Sequence, residues 1–143
     1  MIASSMKSKL RAVFDTNIYI SAIIFGGNPR QCLELARNGE IELFTSKAIL
    51  LELASKLRVK FLWSDLEIKE VIEGISQFAG IVAPGKKVNL IKDEADNRFL
   101  ECAMEAKADY IVSGDKKHLL SLKKFKGIKI LSAKDFLNLF WES

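Results

Sequence analysis

Residues 12–17 read AVFDTN and residues 110–115 read YIVSGD. Each is a short apolar run that stops abruptly at a carboxylate among small polar residues. Runs of this length bounded by polar or turn residues suit strands buried on both faces, the state of strands in a parallel sheet. Working outward, apolar runs at 10–14, 41–44, 80–82, 110–112 and 128–131 alternate with stretches of helical period at 18–25, 29–38, 46–59, 65–78, 95–107, 116–122 and 133–140. Strands that alternate with longer helical segments form βα units around a parallel sheet. The expected fold is therefore α/β, a three-layer α/β/α sandwich around a central, mainly parallel sheet of about five strands. Local signals mark several boundaries: Pro29 suits a first helical turn, Asn38-Gly39 a helix stop, Ser46 an N-cap, and Pro84-Gly85 a turn.

A chain of 143 residues with 49% hydrophobic content suffices for one core and is short for two domains. One domain over 1–143 is expected, with 1–9 as a flexible tail. The apolar stretch at 18–25 is far below the roughly 20 residues that span a bilayer, and the polar, basic N-terminus has no apolar signal region. A cytoplasmic protein without a membrane role is expected. Cys32 and Cys102 have neither zinc-site spacing nor disulfide density, so both read as small core residues. The formal net charge of +4 permits a polyanionic partner without demanding one. Its distribution says more: seven lysines and no acid lie between Lys116 and Lys134, either a solvated face or a local positive field for a polyanion.

In open α/β sheets, ligands gather outside the carboxyl ends of the strands. Asp15 and Asp115 stand there on two different strands, although each is also a credible helix cap. Glu52, within SKAILLELASKL, lies too deep in its helix to cap it; it either faces solvent, paired with Lys56, or joins the acids. Asp93 and Glu94 suit the start of the next helix. Asp96 stands three, four and seven residues before Phe99, Leu100 and Ala103, on the face that should pack on the sheet, where a carboxylate is costly to bury alone. Four converging carboxylates would raise one another's pKa values unless a cation intervened. Oxygen donors suit Mg²⁺ or Mn²⁺ better than Zn²⁺. The single histidine, His118, reads as an ordinary surface or helix residue, which leaves a Ser/His/Asp triad or a zinc deaminase site without support.

With these residues in hand, the chain resembles a PIN (PilT N-terminus) domain, in particular the toxin-like branch of toxin–antitoxin pairs. The motifs that carry the resemblance are FDTNIYISAI, LLEL around Glu52, DEADNRFLECAMEAKADYIVSGD and ILSAKDFL. The resemblance implies an Mg²⁺- or Mn²⁺-dependent endoribonuclease whose catalytic and metal-holding acids are Asp15, Glu52, Asp96 and Asp115, with Asp93 beside them. It gives Thr16 and Asn17 the task of orienting Asp15 or a water, and puts Ser113 where the family often has threonine. Cations held by such acids supply hydroxide at neutral pH and neutralise phosphate charge, so in-line hydrolysis leaving 5′-phosphate and 3′-hydroxyl ends is implied. Lys116 and Lys117 are placed to contact RNA phosphates, and discrimination would come from unpaired bases in single-stranded or looped RNA. A cognate antitoxin and a homodimer or higher homo-oligomer are the implied protein partners, with Trp63 and Trp141 as core or dimer residues. Two other readings compete: a non-catalytic PIN module that binds RNA or protein, and a phosphoacceptor domain, for which Lys134 would be the diagnostic lysine and Glu52 would be unused.

Overall fold

The computed structural model describes residues 9–115 and 117–142. The expected tail over 1–9 lies, Lys9 apart, outside the described residues, as does Lys116. Six strands form one sheet: β1 (Arg11–Phe14), β2 (Glu42–Ser46), β3 (Ala79–Val82), β4 (Tyr110–Val112), β5 (Lys124–Phe125) and β6 (Ile128–Leu131). Their order is β3-β2-β1-β4-β6-β5. All pairings are parallel except that of β5 with β6. The apolar runs become strands because both faces are covered: Ala12, Val13, Phe14, Ile111 and Val112 are all fully buried.

The one strand absent from the sequence reading is β5, whose two residues pair with Lys129 and Ile128. Its hairpin turns through Lys126 and Gly127, both with positive φ, 49° and 84°. That is the left-handed pair a tight two-residue β-turn requires. Two residues with a charged partner carry no detectable alternation, so pattern alone passes over them.

The helices are α1 (Thr16–Ile20), α2 (Gly27–Arg37), α3 (Lys47–Phe61), α4 (Asp65–Phe78), α5 (Glu94–Ala106), α6 (Leu119–Leu122) and α7 (Ala133–Glu142). A single π-helical stretch, Ser21–Phe25, continues α1. It ends at Gly26, whose φ of 86° and ψ of −133° suit only glycine. Arg30 then satisfies the carbonyls of Ala22 and Ile23, at 2.9 and 3.2 Å, which the helix end leaves without partners. Ser46 caps α3 as expected, and Ser64 with Glu67 forms a reciprocal capping box on α4. Pro29 falls in the first turn of α2, and Asn38 ends that helix.

Helix α5 crosses the sheet in contact with β1, β2, β3 and β4, while α2 packs on α7, which touches β6. The chain moves outward from β1 through β2 to β3, then returns past β1 to β4. Right-handed crossovers put connections made in opposite directions on opposite faces, which yields the sandwich. The strand order therefore reverses between β1 and β4, and a crevice forms at their carboxyl ends. Cys32 and Cys102 are buried and free. Trp63 packs against the core, whereas Trp141 is exposed. Among the described residues no helix is long and apolar enough to cross a membrane.

Candidate active site

Asp15 is the first residue beyond β1, and its N–H prolongs the β1–β4 pairing by donating to the Val112 carbonyl at 3.0 Å. Its carboxylate is 1% exposed. It accepts from the Ser113 hydroxyl at 2.6 Å, the Gly114 N–H at 3.2 Å and the Ile18 N–H at 2.9 Å. The last of these is the helix cap, so capping α1 and facing the crevice are tasks of one residue. Burial pushes its pKa up to about 6, against the opposing pull of these three donors.

Ser113 joins the two strand-end acids, because its hydroxyl donates to Asp15 and accepts from the Asp115 N–H at 2.9 Å. One oxygen of Asp115 accepts the N–H groups of Lys117 and His118 at 3.0 and 3.1 Å, an arrangement that fixes the turn ahead of α6. Its other oxygen faces His118 Nδ1 at 3.2 Å. Asp96, in the first turn of α5, is 6% exposed. Its Oδ2 makes no hydrogen bond among the described residues, although His118 Nδ1 stands 3.5 Å away. Burial and the adjoining Asp115 carboxylate raise its pKa. For Asp115, the cost of burial is outweighed by hydrogen bonds from protonated Asp96, His118 and Lys117, and its pKa falls. Between them the two acids favour one shared proton, as carboxylates in contact do.

Glu52 comes from α3 and accepts the hydroxyl of Thr16. Lys56, one turn on, lines the same crevice but makes no ion pair with Glu52 among the described residues. Asp15, Glu52, Asp96 and Asp115, from four separate segments, thus line one cleft of about 80 Å³. That is room for two or three waters at about 30 Å³ each, and too little for a nucleotide base.

The remaining sequence-predicted residues take the following places. Ser113 donates to Asp15, while the Thr16 hydroxyl donates to Glu52; Asn17 lines the cleft mouth. Lys117 holds Asp115 through its backbone N–H, and its exposed side chain does not line the cleft. Asp93 caps α5 through the Ala95 N–H at 3.0 Å and also borders the cleft.

His118 is not the bystander expected from the sequence, and two further residues, Asn97 and Glu101, carry no signal there. His118 lies against two of the four acids; a histidine three residues after a turn-forming aspartate was the available signal. Asn97 and Glu101, both buried on α5, anchor the segment that precedes Asp93. Asn97 exchanges hydrogen bonds with the Ile91 backbone at 2.8 and 2.6 Å. Glu101 accepts the Val88 N–H at 2.8 Å and pairs with Arg98 at 2.9 Å.

The donor set fits a divalent cation. Every acid offers oxygen, negative charge exceeds the positive charge beside it, and a buried Asp96 oxygen has no hydrogen bond among the described residues. Fold and cleft together define an α/β domain with an acidic site at its switch point. A family profile described as PIN domain matches residues 11–117. The chain belongs to the PIN domain family. An uncharacterized protein of Methanocaldococcus jannaschii is 38% identical over 123 residues, covering 82% of this chain and 77% of its own length. A chain in the crystal structure of VapBC2 from Rickettsia felis bound to a DNA fragment from their promoter superimposes with a TM-score of 0.61 at 18% identity, over 85% of this chain and 97% of that one. At that identity the likeness is one of fold.

Proposed function

We propose that this PIN domain is a divalent-metal-dependent endoribonuclease, the toxin of a toxin–antitoxin pair, working as a single domain in the cytoplasm. The observation that carries the reading is the buried, unbonded Asp96 oxygen among carboxylates delivered from four separate segments. A lone acidic residue at a helix start needs no cation, but a converging set with an unmet oxygen does. Asp15, Glu52, Asp96 and Asp115 would hold Mg²⁺ or Mn²⁺. When bound, such an ion supplies hydroxide at neutral pH and neutralises charge on the scissile phosphate and the leaving oxygen.

The chain's own residues prepare the site. Ser113 and the Gly114 N–H fix one Asp15 oxygen, and Thr16 fixes Glu52, so the acids are held before any substrate arrives. Lys56 at the rim, with Lys117 and Lys116 nearby in sequence, meets the phosphates of a single-stranded or looped RNA. The narrow cleft admits a phosphate edge while bases stay outside. An antitoxin partner gains support from the likeness to VapBC2, and a homo-oligomer is part of the same reading. A phosphoacceptor domain would leave Glu52 unused, and Lys134 does not line the cleft.

The test is cleavage of single-stranded and structured RNAs by purified protein with Mg²⁺ or Mn²⁺ against EDTA, alongside Asp15→Asn and Asp96→Asn. Metal-dependent cleavage that both variants lose is expected. Cleavage that survives EDTA or both substitutions would sink the mechanism, and a folded protein that binds RNA without cutting it would instead show a binding module.

A further inference from the structure

His118 brings an imidazole nitrogen to Asp96 and Asp115, and its position is held by more than its own side chain. Its backbone N–H is bonded to Asp115 Oδ1 at 3.1 Å, and the next residue, Leu119, is fully buried in the core. The half-exposed ring is thereby held against the acids, with Nδ1 3.2 Å from Asp115 Oδ2 and 3.5 Å from Asp96 Oδ2. One donor atom from each of Asp93, Asp96 and His118 lies within 4.8 Å of the others. Asp96 is also more than nine-tenths buried, and its Oδ2 has no hydrogen bond among the described residues. The oxygen without a hydrogen bond among the described residues is the one that Nδ1 approaches.

We infer that Asp93, Asp96 and His118 form a mixed nitrogen–oxygen position at the edge of the acidic cleft, one that takes a first-row transition-metal dication in preference to Mg²⁺. The inference rests on the proposed reading of the cleft as a cation site and adds what selects the ion. Mg²⁺ is a hard cation served by carboxylates and waters, and an imidazole gives it little. Mn²⁺, Fe²⁺, Co²⁺ and Zn²⁺ gain progressively from a nitrogen donor, with the exposed edge of the site left open to solvent or phosphate. Asp93 takes part while capping α5, because only its Oδ1 is used by the Ala95 N–H.

The test uses Mn²⁺ as probe. The wild-type chain, His118→Ala and His118→Asn are titrated with Mn²⁺ alone and against Mg²⁺, the bound ion is followed by electron paramagnetic resonance, and circular dichroism monitors folding. In the wild type, bound Mn²⁺ is expected to show hyperfine coupling to an imidazole nitrogen, and both variants lose it. The preference for Mn²⁺ over Mg²⁺ falls about tenfold or more in His118→Ala, at least what the loss of a supporting partner costs a metal site. Mn²⁺ bound to the wild type without nitrogen coupling, or an unchanged preference in either folded variant, overturns the assignment of His118 and leaves the acidic cleft intact. A wild-type chain that binds no Mn²⁺ overturns both readings.

Discussion

Arg11 and Asp15 stand at opposite ends of β1, and their surroundings are opposite in kind. At the base of the sheet, the Arg11 guanidinium donates to the Ala106 carbonyl through Nε and Nη2 at 3.1 and 2.8 Å, and pairs with Glu42 at 2.9 Å. It also lies 4.5 Å above the Phe44 ring, and the Arg11 N–H meets Asp109 at 2.8 Å. The acids there have a cation or an N–H within the chain. At the rim, Asp15 and Asp115 also accept N–H groups and Asp115 faces His118, but the carboxylates stand together with no arginine among the lining residues, and Asp96 Oδ2 makes no hydrogen bond among the described residues. Both ends are ordered by the same strand, so folding alone does not require the rim's imbalance. Charge at the base is matched within the chain; at the rim the acids outnumber the cations beside them, the imbalance that the proposed metal site would meet.

Substitutions at the two ends should separate these roles. The largest effect is expected from Asp15→Asn or Asp96→Asn in the presence of metal. Removing several kcal/mol of charge stabilisation lowers the cleavage rate about a thousandfold, as read from initial rates on a labelled RNA. Next comes pH in EDTA. Because the folded pKa of Asp15 is raised from 3.8 to about 6, the folded state holds the proton more tightly than the unfolded chain does. Its contribution to stability is complete below about pH 4 and is lost as pH rises through about 6, on the order of 3 kcal/mol in all. Denaturant titrations of wild type and Asp15→Asn should therefore diverge between pH 4 and 7, with the variant the more stable at pH 7; a constant difference would refute the burial account.

The base should behave in the reverse manner. Arg11→Ala removes charge-assisted hydrogen bonds and a cation–π contact, and is expected to cost about 2 kcal/mol by urea unfolding. Cleavage per folded molecule is expected to stay near wild type; an equal loss of activity would break the division between the ends. The smallest effect belongs to Glu42→Ala, whose ion pair with Arg11 is nearly half exposed. Screening leaves such a pair worth less than about 1 kcal/mol.

The five longer strands could be read from the chain because strands covered on both faces are continuous apolar runs, and Asp15 and Asp115 were legible as the places where two of those runs stop. Asp96 was legible as a carboxylate on an apolar helix face. The roles of Thr16 and His118 were not, for a physical reason. Periodicity tells which face a side chain occupies, whereas Thr16 meeting Glu52, or His118 meeting Asp96, depends on how separate helices are set against the sheet. Asn97 and Glu101 escaped notice for a related reason: polar residues on an inward face read as conflicts until the loop backbone they satisfy is known. In α1, the cap was visible, but the switch to π geometry depends on Arg30, eight residues beyond Ala22, whose carbonyl it satisfies.

The small hairpin of β5 and β6 bears on how the molecule keeps to itself. A sheet has two borders where unpaired backbone groups can recruit a foreign strand. On one border β5 is only two residues long and is set about with the exposed side chains of Lys123, Lys124, Lys126 and Lys129, features that discourage such pairing. The other border is β3, Ala79–Val82, uncharged and with Ile81 exposed. The two borders therefore differ in kind: the lysine-set hairpin discourages strand addition, while β3 carries no charge of its own.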